Sequence, residues 1–320
     1  MALSIIFLII GFALLIKGAD LLVDGASSLA KRLKIPALVI GLTIVAFGTS
    51  MPELIVNLLA SLRGNTDIAI GNVLGSNIAN IFLIVGAASI VYPLAVKTST
   101  VWKEIPLSLL AVLALGILAN DKLINNEANN LIDVSDGLTL GLFFLIFLYY
   151  VFEISRDKNS PKDEIEIKQH SISKSILLVI IGIIGLSLGG NWVVDSAVTL
   201  AKSWGVSQSL IGLTIVALGT SLPELFTSVV AAFKKNSDIA IGNVVGSNIF
   251  NILWILCVSA IIKPLPFSDT SNIDLAVTAL ATVLLFLFTF VGQKRVIERW
   301  QGALFVISYL IYIIYLIIKG

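Results

Sequence analysis

Two glutamates could bind a cation in this chain, because each lies in a long apolar stretch within the same sequence context. Glu53 belongs to IGLTIVAFGTSMPEL (residues 40–54) and Glu224 to IGLTIVALGTSLPEL (211–225), and thirteen of these fifteen positions are identical. A carboxylate inside the hydrocarbon region of a membrane is costly, so a retained acid there is a functional-site hypothesis by default. The chemistry expected of such a pair is binding of cations or protons.

A second matching segment follows each glutamate at the same distance. Residues 67–80 read DIAIGNVLGSNIAN and residues 238–251 read DIAIGNVVGSNIFN, with twelve of fourteen positions identical. Both matches share one offset, since 224 − 53 = 238 − 67 = 171. The sequence therefore contains a repeat whose copies span 40–80 and 211–251. A duplication kept only for packing would not require the repeated Glu and Asn residues, so a functional repeat is favoured.

A proline next to each glutamate predicts a break in the helix. Pro52 has no amide hydrogen, and its ring clashes with the carbonyl four residues earlier, that of Gly48. We expect a kink that frees backbone oxygens around residues 46–49. Carbonyls freed at membrane depth need another partner, and a bound cation is one. The second copy repeats this arrangement with Ala217, Gly219, Thr220, Ser221, Pro223 and Glu224.

The segments after the glutamates carry polar residues spaced by four, which places each set on one helix face. These residues are Asn72, Ser76 and Asn80 in the first copy and Asn243, Ser247 and Asn251 in the second. Glycines beside them, Gly71, Gly75, Gly242 and Gly246, permit close helix contact. Small residues with Ser and Asn are also typical of ordinary helix packing, so these faces alone leave the role open. Beside the Pro-Glu segments, a ligand role is favoured.

The candidate ligands are all hard oxygen donors, which favours Ca²⁺ and Na⁺ over Zn²⁺ or Cu⁺. Two carboxylates supply four oxygens, and freed carbonyls of Thr49 and Thr220 would bring the number to six, whereas Ca²⁺ takes about six to eight. Surplus oxygens for Na⁺ come from Ser50, Ser76, Asn80, Ser221, Ser247 and Asn251. No Lys or Arg lies near these motifs. An empty site would cost about 3 kcal/mol per ionised glutamate, so we expect it to fill with cations or take up protons.

Composition identifies the chain as a membrane protein. It is 57% hydrophobic and 13% charged, with a mean hydropathy of +1.00, against about 25% charged residues in soluble domains. The predicted fold class is an all-α membrane protein with ten transmembrane helices, each apolar over a length that crosses a bilayer. The predicted helices are residues 3–26, 38–62, 68–93, 103–120, 137–154, 173–198, 209–234, 239–264, 273–292 and 300–319.

Each repeat holds five of these helices, so the second copy enters the membrane from the opposite face. Two inverted five-helix repeats are typical of transporters whose binding site lies near the midplane. The predicted domains are a first repeat over residues 1–154, a polar cytoplasmic linker over 155–172 and a second repeat over 173–320. Fifteen Lys and Arg residues lie in the loops after helices 1, 3, 5, 7 and 9, and five lie on the other side. The richer side is predicted to be cytoplasmic, which places both termini outside.

The remaining charged and reactive residues suggest no other chemistry. His170 is the single histidine and lies in a polar loop, which argues against a histidine metal site. Asp20, Asp24 and Asp195 lie toward helix ends, where we expect them to be solvated, and Lys17 is expected to pair with a nearby acid or to extend toward the interface.

At its GTSxPE and GSN segments the sequence resembles the prokaryotic sodium/calcium exchangers of the cation/Ca²⁺ exchanger superfamily. The resemblance implies ten helices in an inverted five-plus-five arrangement, outside termini, a location in the plasma membrane of a prokaryote, and exchange of several Na⁺ for one Ca²⁺ as helices 1 and 6 slide across the bundle. It implies that Ca²⁺ is bound by Glu53, Glu224, Thr49 and Thr220. It also implies that Na⁺ is bound with help from Ala46, Ser50, Ser76, Asn80, Ala217, Ser221, Ser247 and Asn251.

Two alternatives within the superfamily stay open. Some relatives, including potassium-dependent ones, carry Asp where this chain has Asn251, so the neutral amide argues against potassium dependence. Proton-coupled relatives usually place their acidic residues in repeats with a different sequence, so H⁺/Ca²⁺ exchange is ranked second. An intramembrane hydrolase is a third reading, because two acids sharing a proton can do such chemistry. Proteases of that kind use Asp, and no nucleophile is apparent here, so we expect no enzyme. Ca²⁺, Na⁺ and the lipid bilayer are the expected partners, with no cofactor, nucleic acid or protein partner.

Overall fold

The computed structural model describes residues 2–64, 66–156, 169–204 and 217–319, and nearly all of them are helical. The helices are α1 (Ala2–Leu33), α2 (Ala37–Thr49), α3 (Met51–Arg63), α4 (Ile68–Val91), α5 (Thr100–Leu118), α6 (Asp121–Ile124), α7 (Val134–Ser155), α8 (Ile172–Ser203), α9 (Ala217–Gly219), α10 (Leu222–Phe233), α11 (Ser237–Ile262), α12 (Ser271–Phe288) and α13 (Arg299–Lys319). The strands are β1 (Leu94–Ala95), β2 (Leu131–Ile132), β3 (Leu265–Pro266) and β4 (Val296–Ile297).

Eight of these helices are long and apolar enough to cross a membrane, and α2 with α3 forms a ninth, broken span within the described ranges. The prediction of an all-helical membrane protein is confirmed. The start of the predicted seventh helix (209–234) lies outside the described residues, and its later part is the 12-residue helix α10. The prediction of ten helices in inverted repeats is not tested by this count.

The first and sixth helices are longer than predicted. α1 continues seven residues past the predicted end at residue 26, and α8 continues to Ser203 rather than 198. Each has 32 residues, or about 48 Å at 1.5 Å per residue, against a hydrocarbon core of about 30 Å. The ends therefore project beyond the core or the helices tilt. The extension of α1 is held by packing that hydropathy does not report, since Ser28 is buried and accepts a hydrogen bond from Ser175 at 2.9 Å.

Two helices from the repeated segments form the centre of the bundle. In α4, 72% of the best apolar window is buried, and in α11 the fraction is 78%, whereas the window in no other single spanning helix exceeds 39%. The polar motifs of both repeats therefore lie inside the protein, while the other helices present apolar side chains to lipid. Hydrophobicity alone does not distinguish these two classes of helix.

Both central helices contain a π-helical segment at matched positions. Ala79–Val85 lies in α4 and Phe250–Ile255 in α11, and the two starts differ by the repeat offset of 171. A π turn admits an extra residue into the helix and occurs frequently at functional sites. Each segment begins one residue before a polar residue of the repeat, Asn80 or Asn251.

Glycines hold α1 and α8 together as an antiparallel pair. A Cβ atom at Gly182 would lie 2.7 Å from the backbone nitrogen of Leu22, and one at Gly18 would lie 2.9 Å from the carbonyl oxygen of Gly182. Toward the other end, a Cβ atom at Gly11 would lie 3.0 Å from the carbonyl oxygen of Gly189. The helices approach to backbone contact at these points, as small residues allow in membranes.

The predicted role of the motif glycines is confirmed in the second copy. A Cβ atom at Gly242 would lie 3.0 Å from the carbonyl oxygen of Leu38, and one at Gly246 would lie 2.8 Å from that of Leu42. These contacts place α11 directly against α2. No described residue comes within 4 Å of such an atom at Gly71 or Gly75.

Short antiparallel strand pairs connect the two halves of the chain. β1 pairs with β4 through Leu94 and Ile297, and β2 pairs with β3 through Ile132 and Leu265. Each pair takes one strand from each half. β1 and β3 are themselves related by the offset of 171. The equivalent strand of each repeat therefore pairs with a strand from the other half of the chain.

We predict that Gly182→Ala lowers the melting temperature of the detergent-solubilised protein, because its methyl group meets the α1 backbone and overpacking costs about 1–3 kcal/mol. Gly185→Ala is the matched control in the same helix, since its methyl group would lie 3.4 Å from the nearest atom. Thermal unfolding of both variants checks this, and equal melting temperatures would contradict the packing described.

Candidate ion-binding site

The site begins at a break between α2 and α3. The two helices meet at a bend of 46°, and Ser50 between them leaves helical geometry with φ −81° and ψ 7°. Pro52 stands in the first turn of α3, where its missing amide hydrogen costs nothing. The predicted kink is confirmed. The carbonyl of Ala46 is not freed as predicted, because it accepts a hydrogen bond from the amide of Ser50 at 3.0 Å, which preserves the last turn of α2.

Each break places a glutamate in the first turn of a new helix. Glu53 lies in the first turn of α3 and Glu224 in the first turn of α10, and Ser221 before α10 has nearly the same backbone angles as Ser50. The N-terminal turn favours a negative charge because of the helix dipole. Both glutamates are 1% exposed, so this favourable field acts on carboxylates removed from water.

The first carboxylate receives hydroxyl groups from both halves of the chain. Glu53 Oε1 lies 3.4 Å from the hydroxyl of Ser76 in its own half and 3.4 Å from that of Ser221 in the other half. The hydroxyl of Ser221 also lies 3.3 Å from that of Ser76. These three side chains form one contiguous polar cluster across the interface between repeats.

The second carboxylate repeats this pattern. Glu224 Oε1 accepts a hydrogen bond from Ser50 at 2.8 Å and lies 3.4 Å from the hydroxyl of Ser247. Ser50 and Ser247 are the counterparts of Ser221 and Ser76 at the offset of 171. The site therefore consists of two equivalent halves, each completed by a serine from the opposite repeat.

Asparagines on the central helices fix the backbone of the first glutamate turn. Asn72 donates to the side-chain oxygen of Asn57 at 2.7 Å and lies 3.5 Å from the carbonyl of Glu53, while its own oxygen lies 3.4 Å from the hydroxyl of Thr220. This one amide therefore links α3, α4 and the turn before α10.

The counterpart amide does the same for the second glutamate. Asn243 donates to Ser228 at 3.0 Å and to the carbonyl of Glu224 at 3.3 Å, and it accepts a bond from the hydroxyl of Thr49 at 3.0 Å. The side chains of the two threonines thus bond to asparagines.

Four buried asparagines connect the central helices to each other. Asn77 donates to the carbonyl of Asn248 at 3.2 Å, and Asn248 points its amide at the carbonyl of Asn77 at 3.5 Å. Asn80 donates to the side chain of Asn248, and Asn251 donates to that of Asn77, both at 2.9 Å. Asn77 and Asn248 differ by 171 and bond to each other, so this contact joins equivalent points of the two repeats.

Four buried oxygen atoms beside these networks have no hydrogen-bond donor among the described residues. They are Oε2 of Glu53, Oε2 of Glu224, Oδ1 of Asn80 and Oδ1 of Asn251. A buried acceptor without a partner costs about 1–3 kcal/mol, and more when it is charged. All four are hard oxygen atoms, and two belong to carboxylates, which is the donor chemistry of Ca²⁺ and Na⁺.

Ten of the twelve predicted site residues take part in one or another of the three separate hydrogen-bond networks formed around Glu53, around Glu224 and between the asparagines of the central helices. Two glutamates, two threonines, four serines and two asparagines belong to the networks described above. Ala46 is buried beside the break, and Ala217 begins α9. No cluster of three or more His, Cys, Asp or Glu side chains occurs in the described ranges, so the two glutamates supply the formal charge of the site. Whether these residues bind ions remains a prediction.

The sequence prediction omitted the amides that position the ligands. Asn77 and Asn248 are identical at the repeat offset inside the GSN motifs, and that identity was a usable signal. Asn57 and Ser228 are harder to find, because one repeat has an amide where the other has a hydroxyl. A polar residue at the same position of both apolar helices is the available clue.

Comparison with known proteins identifies the family. The family model described as sodium/calcium exchanger protein matches residues 3–153 and 174–318. The chain belongs to the sodium/calcium exchanger family. The family resemblance seen in the repeated motifs is thereby confirmed, and this family member is a multi-pass membrane protein.

Relatives match the exchanger chain over nearly its whole length. The putative antiporter CaxA of Alkalimonas amylolytica is 38% identical, covering 98% of both chains. The sodium/calcium exchanger MaX1 of Methanosarcina acetivorans is 31% identical, also covering 98% of both. A solved structure of the sodium-calcium exchanger NCX_Mj, soaked with 10 mM Na⁺ and 10 mM Sr²⁺, superimposes with a TM-score of 0.84 at 34% identity over 98% of each chain.

We predict that Asn80→Ala and Asn248→Ala each destabilise the protein, because each removes one partner of the 2.9 Å hydrogen bond between their side chains. Together they should cost less than the sum of the single changes, with a coupling of about 0.6–1.7 kcal/mol, as measured for hydrogen bonds between membrane helices. Unfolding in mixed micelles of the two single variants and the double variant measures this coupling. Strict additivity would contradict the bond between the side chains of Asn80 and Asn248.

Proposed function

We propose that this protein is a secondary antiporter that exchanges Na⁺ for Ca²⁺ by alternating access. The observation that carries the proposal is a set of four buried oxygens that have no donor in the described part of the chain, two of them on carboxylates contributed by different repeats. Family membership supports it, as does similarity to the sodium/calcium exchangers MaX1 and NCX_Mj. The proposed location is the plasma membrane of a prokaryote with both termini outside, supported by the loop charges.

The proposed architecture is ten transmembrane helices in two inverted five-helix repeats, with the site near the midplane. Reciprocal hydrogen bonds support it, because contacts of Glu53, Asn72 and Asn77 recur at their counterparts 171 residues later. Five helices per repeat would reverse the second copy across the bilayer. Alternating access then follows from exchanging the conformations of the two repeats around a shared site.

In the proposed mechanism the carboxylates of Glu53 and Glu224 bind Ca²⁺ with the backbone oxygens of Thr49 and Thr220. The ion's two charges neutralise the two glutamates. An unloaded site would carry two buried charges at about 3 kcal/mol each, which disfavours passage of the empty carrier between its two states. Binding of Ca²⁺ or of several Na⁺ removes that cost. Exchange results because the carrier passes between its two states only with one or the other ion bound.

Na⁺ is proposed to occupy positions beside the carboxylates. The ligands proposed for it are the neutral oxygens around Ala46, Ser50, Ser76, Asn80, Ala217, Ser221, Ser247 and Asn251. The Oδ1 atoms of Asn80 and Asn251, to which no described residue donates a hydrogen bond, support this part of the proposal. The neutral amide at residue 251 favours exchange without K⁺. Proton coupling is the second candidate, because buried carboxylates without a basic partner can also be neutralised by protons.

We predict that Glu53→Gln or Glu224→Gln reduces Na⁺-driven Ca²⁺ uptake into proteoliposomes by at least about 100-fold, because each removes one of two charges opposing Ca²⁺. Glu104→Gln is the matched control, since Glu104 is also a fully buried membrane acid, but it bonds to Tyr150 rather than to the site. Folding is checked by size-exclusion elution. Normal uptake in both site variants would refute the assignment.

We predict that Ca²⁺ raises the melting temperature of the wild-type protein in detergent and has little effect on the two glutamine variants. Binding to the native state stabilises it by about 2.7 kcal/mol at a ligand concentration one hundred times Kd. Thermal unfolding with Ca²⁺ or Mg²⁺ measures the effect and its selectivity. An unchanged wild-type melting temperature across the Ca²⁺ titration would argue against a Ca²⁺ site.

We predict that an imposed Na⁺ gradient alone drives Ca²⁺ uptake, with no requirement for K⁺ or for a pH gradient. Neutral amides at residues 80 and 251 leave only two strong acids to be neutralised by the coupling ion. Uptake of ⁴⁵Ca²⁺ under independently set Na⁺, K⁺ and H⁺ gradients distinguishes the coupling ions. Uptake that follows only the pH gradient would favour H⁺/Ca²⁺ exchange instead.

A further inference from the structure

Lys234, which directly follows α10, lies between two acids of α1. Its Nζ atom is 2.6 Å from Oδ1 of Asp20 and 2.6 Å from Oδ1 of Asp24, and it donates to the backbone carbonyl of Asp20 at 3.0 Å. These side chains are only 26–33% exposed, so salt screens the contact less than it would an open surface pair. Lys17 bonds to Asp20 as predicted, at 2.8 Å. The expectation that Asp20 and Asp24 are simply solvated is wrong, because Lys234 reaches them from a helix over 200 residues away.

The repeat offset assigns a counterpart to each member of this contact, at the other end of the bundle. Lys234 corresponds to Arg63 and Asp24 to Asp195, since 234 − 63 = 195 − 24 = 171. The second end therefore holds the same pair of opposite charges. Both Arg63 and Asp195 are exposed, and no ion pair joins them in this structure.

A second set of counterparts shows the same difference between the ends. The hydroxyls of Ser28 and Ser175 are 2.9 Å apart and fully buried, which closes α1 on α8 near Lys234. Their counterparts at the offset of 171 are Thr199 and Ser4, which line a cavity of about 300 Å³ together with Asp195. The hydroxyl of Thr199 bonds instead to the carbonyl of Asp195 in its own helix at 2.7 Å.

We propose that the contact of Lys234 with Asp20 and Asp24, and a contact of Arg63 with Asp195, are two ionic latches that form alternately at the two ends of the exchanger. The inference rests on the proposed alternating access, in which inverted repeats exchange conformations. In the conformation described here the Lys234 latch is formed and the Arg63 latch is open. In the opposite conformation Arg63 binds Asp195, Thr199 approaches Ser4, and Lys234 releases its two acids.

The two latches have unequal strength. Asp20 corresponds to Asn191, so Arg63 meets one acid where Lys234 meets two. The ligand-free exchanger therefore favours the conformation in which the Lys234 end is closed. For each passage to the opposite conformation, ion binding at the two glutamates must supply the difference in free energy between the two latches.

Cross-linking of engineered cysteines tests the latches without altering the binding site. The background is Cys257→Ala, which removes the single native cysteine. One reporter carries Ser28→Cys with Ser175→Cys, and the other carries Ser4→Cys with Thr199→Cys. Lys234→Gln is expected to slow disulfide formation in the first reporter and accelerate it in the second, each by about fivefold, as for loss of about 1 kcal/mol. Arg63→Gln is expected to shift both rates in the opposite direction.

Two controls separate charge from structure. Lys31→Gln removes an exposed charge at the same end as Lys234 and should change neither rate. Lys234→Arg keeps the charge and should restore both rates. Rates that do not change with Lys234→Gln, or that move in the same direction in both reporters, would overturn the proposal. Ca²⁺ uptake is measured for every protein: exchange without reporter shifts refutes the latches alone, whereas absence of exchange in the wild type refutes the proposed function.

Discussion

The structure depends on one constraint, which is that two carboxylates lie in the interior without an ion pair to any basic side chain of the described ranges. Every element around Glu53 and Glu224 reduces that cost. Helix breaks place both in N-terminal turns, serines from opposite repeats reach one oxygen of each, and the second oxygen has no donor among the described residues. Under the proposed function, a bound cation offsets the charge that these contacts leave uncompensated, which couples the fold to ion exchange.

The amide networks explain how such a site keeps its geometry. Asn72 and Asn243 each connect a glutamate turn to a central helix and to a threonine from the other repeat. Asn77 and Asn248 then bond the central helices to each other. Displacing one glutamate therefore disturbs the bonds of the other. In the proposed function, this coupling lets the two carboxylates act as one ligand set rather than as separate acids.

The sequence was sufficient for the features that depend on local chemistry. Proline before Glu53 predicted the bend, and apolar length predicted the spans, because both follow from the chain within one or two turns. The pairing of Asn77 with Asn248, and of Lys234 with Asp24, depends on which helices meet, and no local pattern contains that information. Helix ends were misjudged at Leu33 and Ser203 for a related reason, since buried contacts rather than hydropathy extend those helices. The intact Ala46 carbonyl bond likewise reflects how the break relaxes, which composition does not report.

The strand pairs that cross between the halves have a further consequence. β1 pairs with β4 and β3 pairs with β2, so each strand finds its partner in the opposite half of the chain. Together with the serine and asparagine bonds, they make the two halves complementary in the manner of subunits in a dimer. The peptide link between the halves then fixes their ratio at one to one, while the contacts themselves hold the halves together. If the proposed inverted five-helix architecture holds, an ancestral five-helix polypeptide inserted in both orientations would have had these contacts between its two copies before gene fusion joined them into one chain.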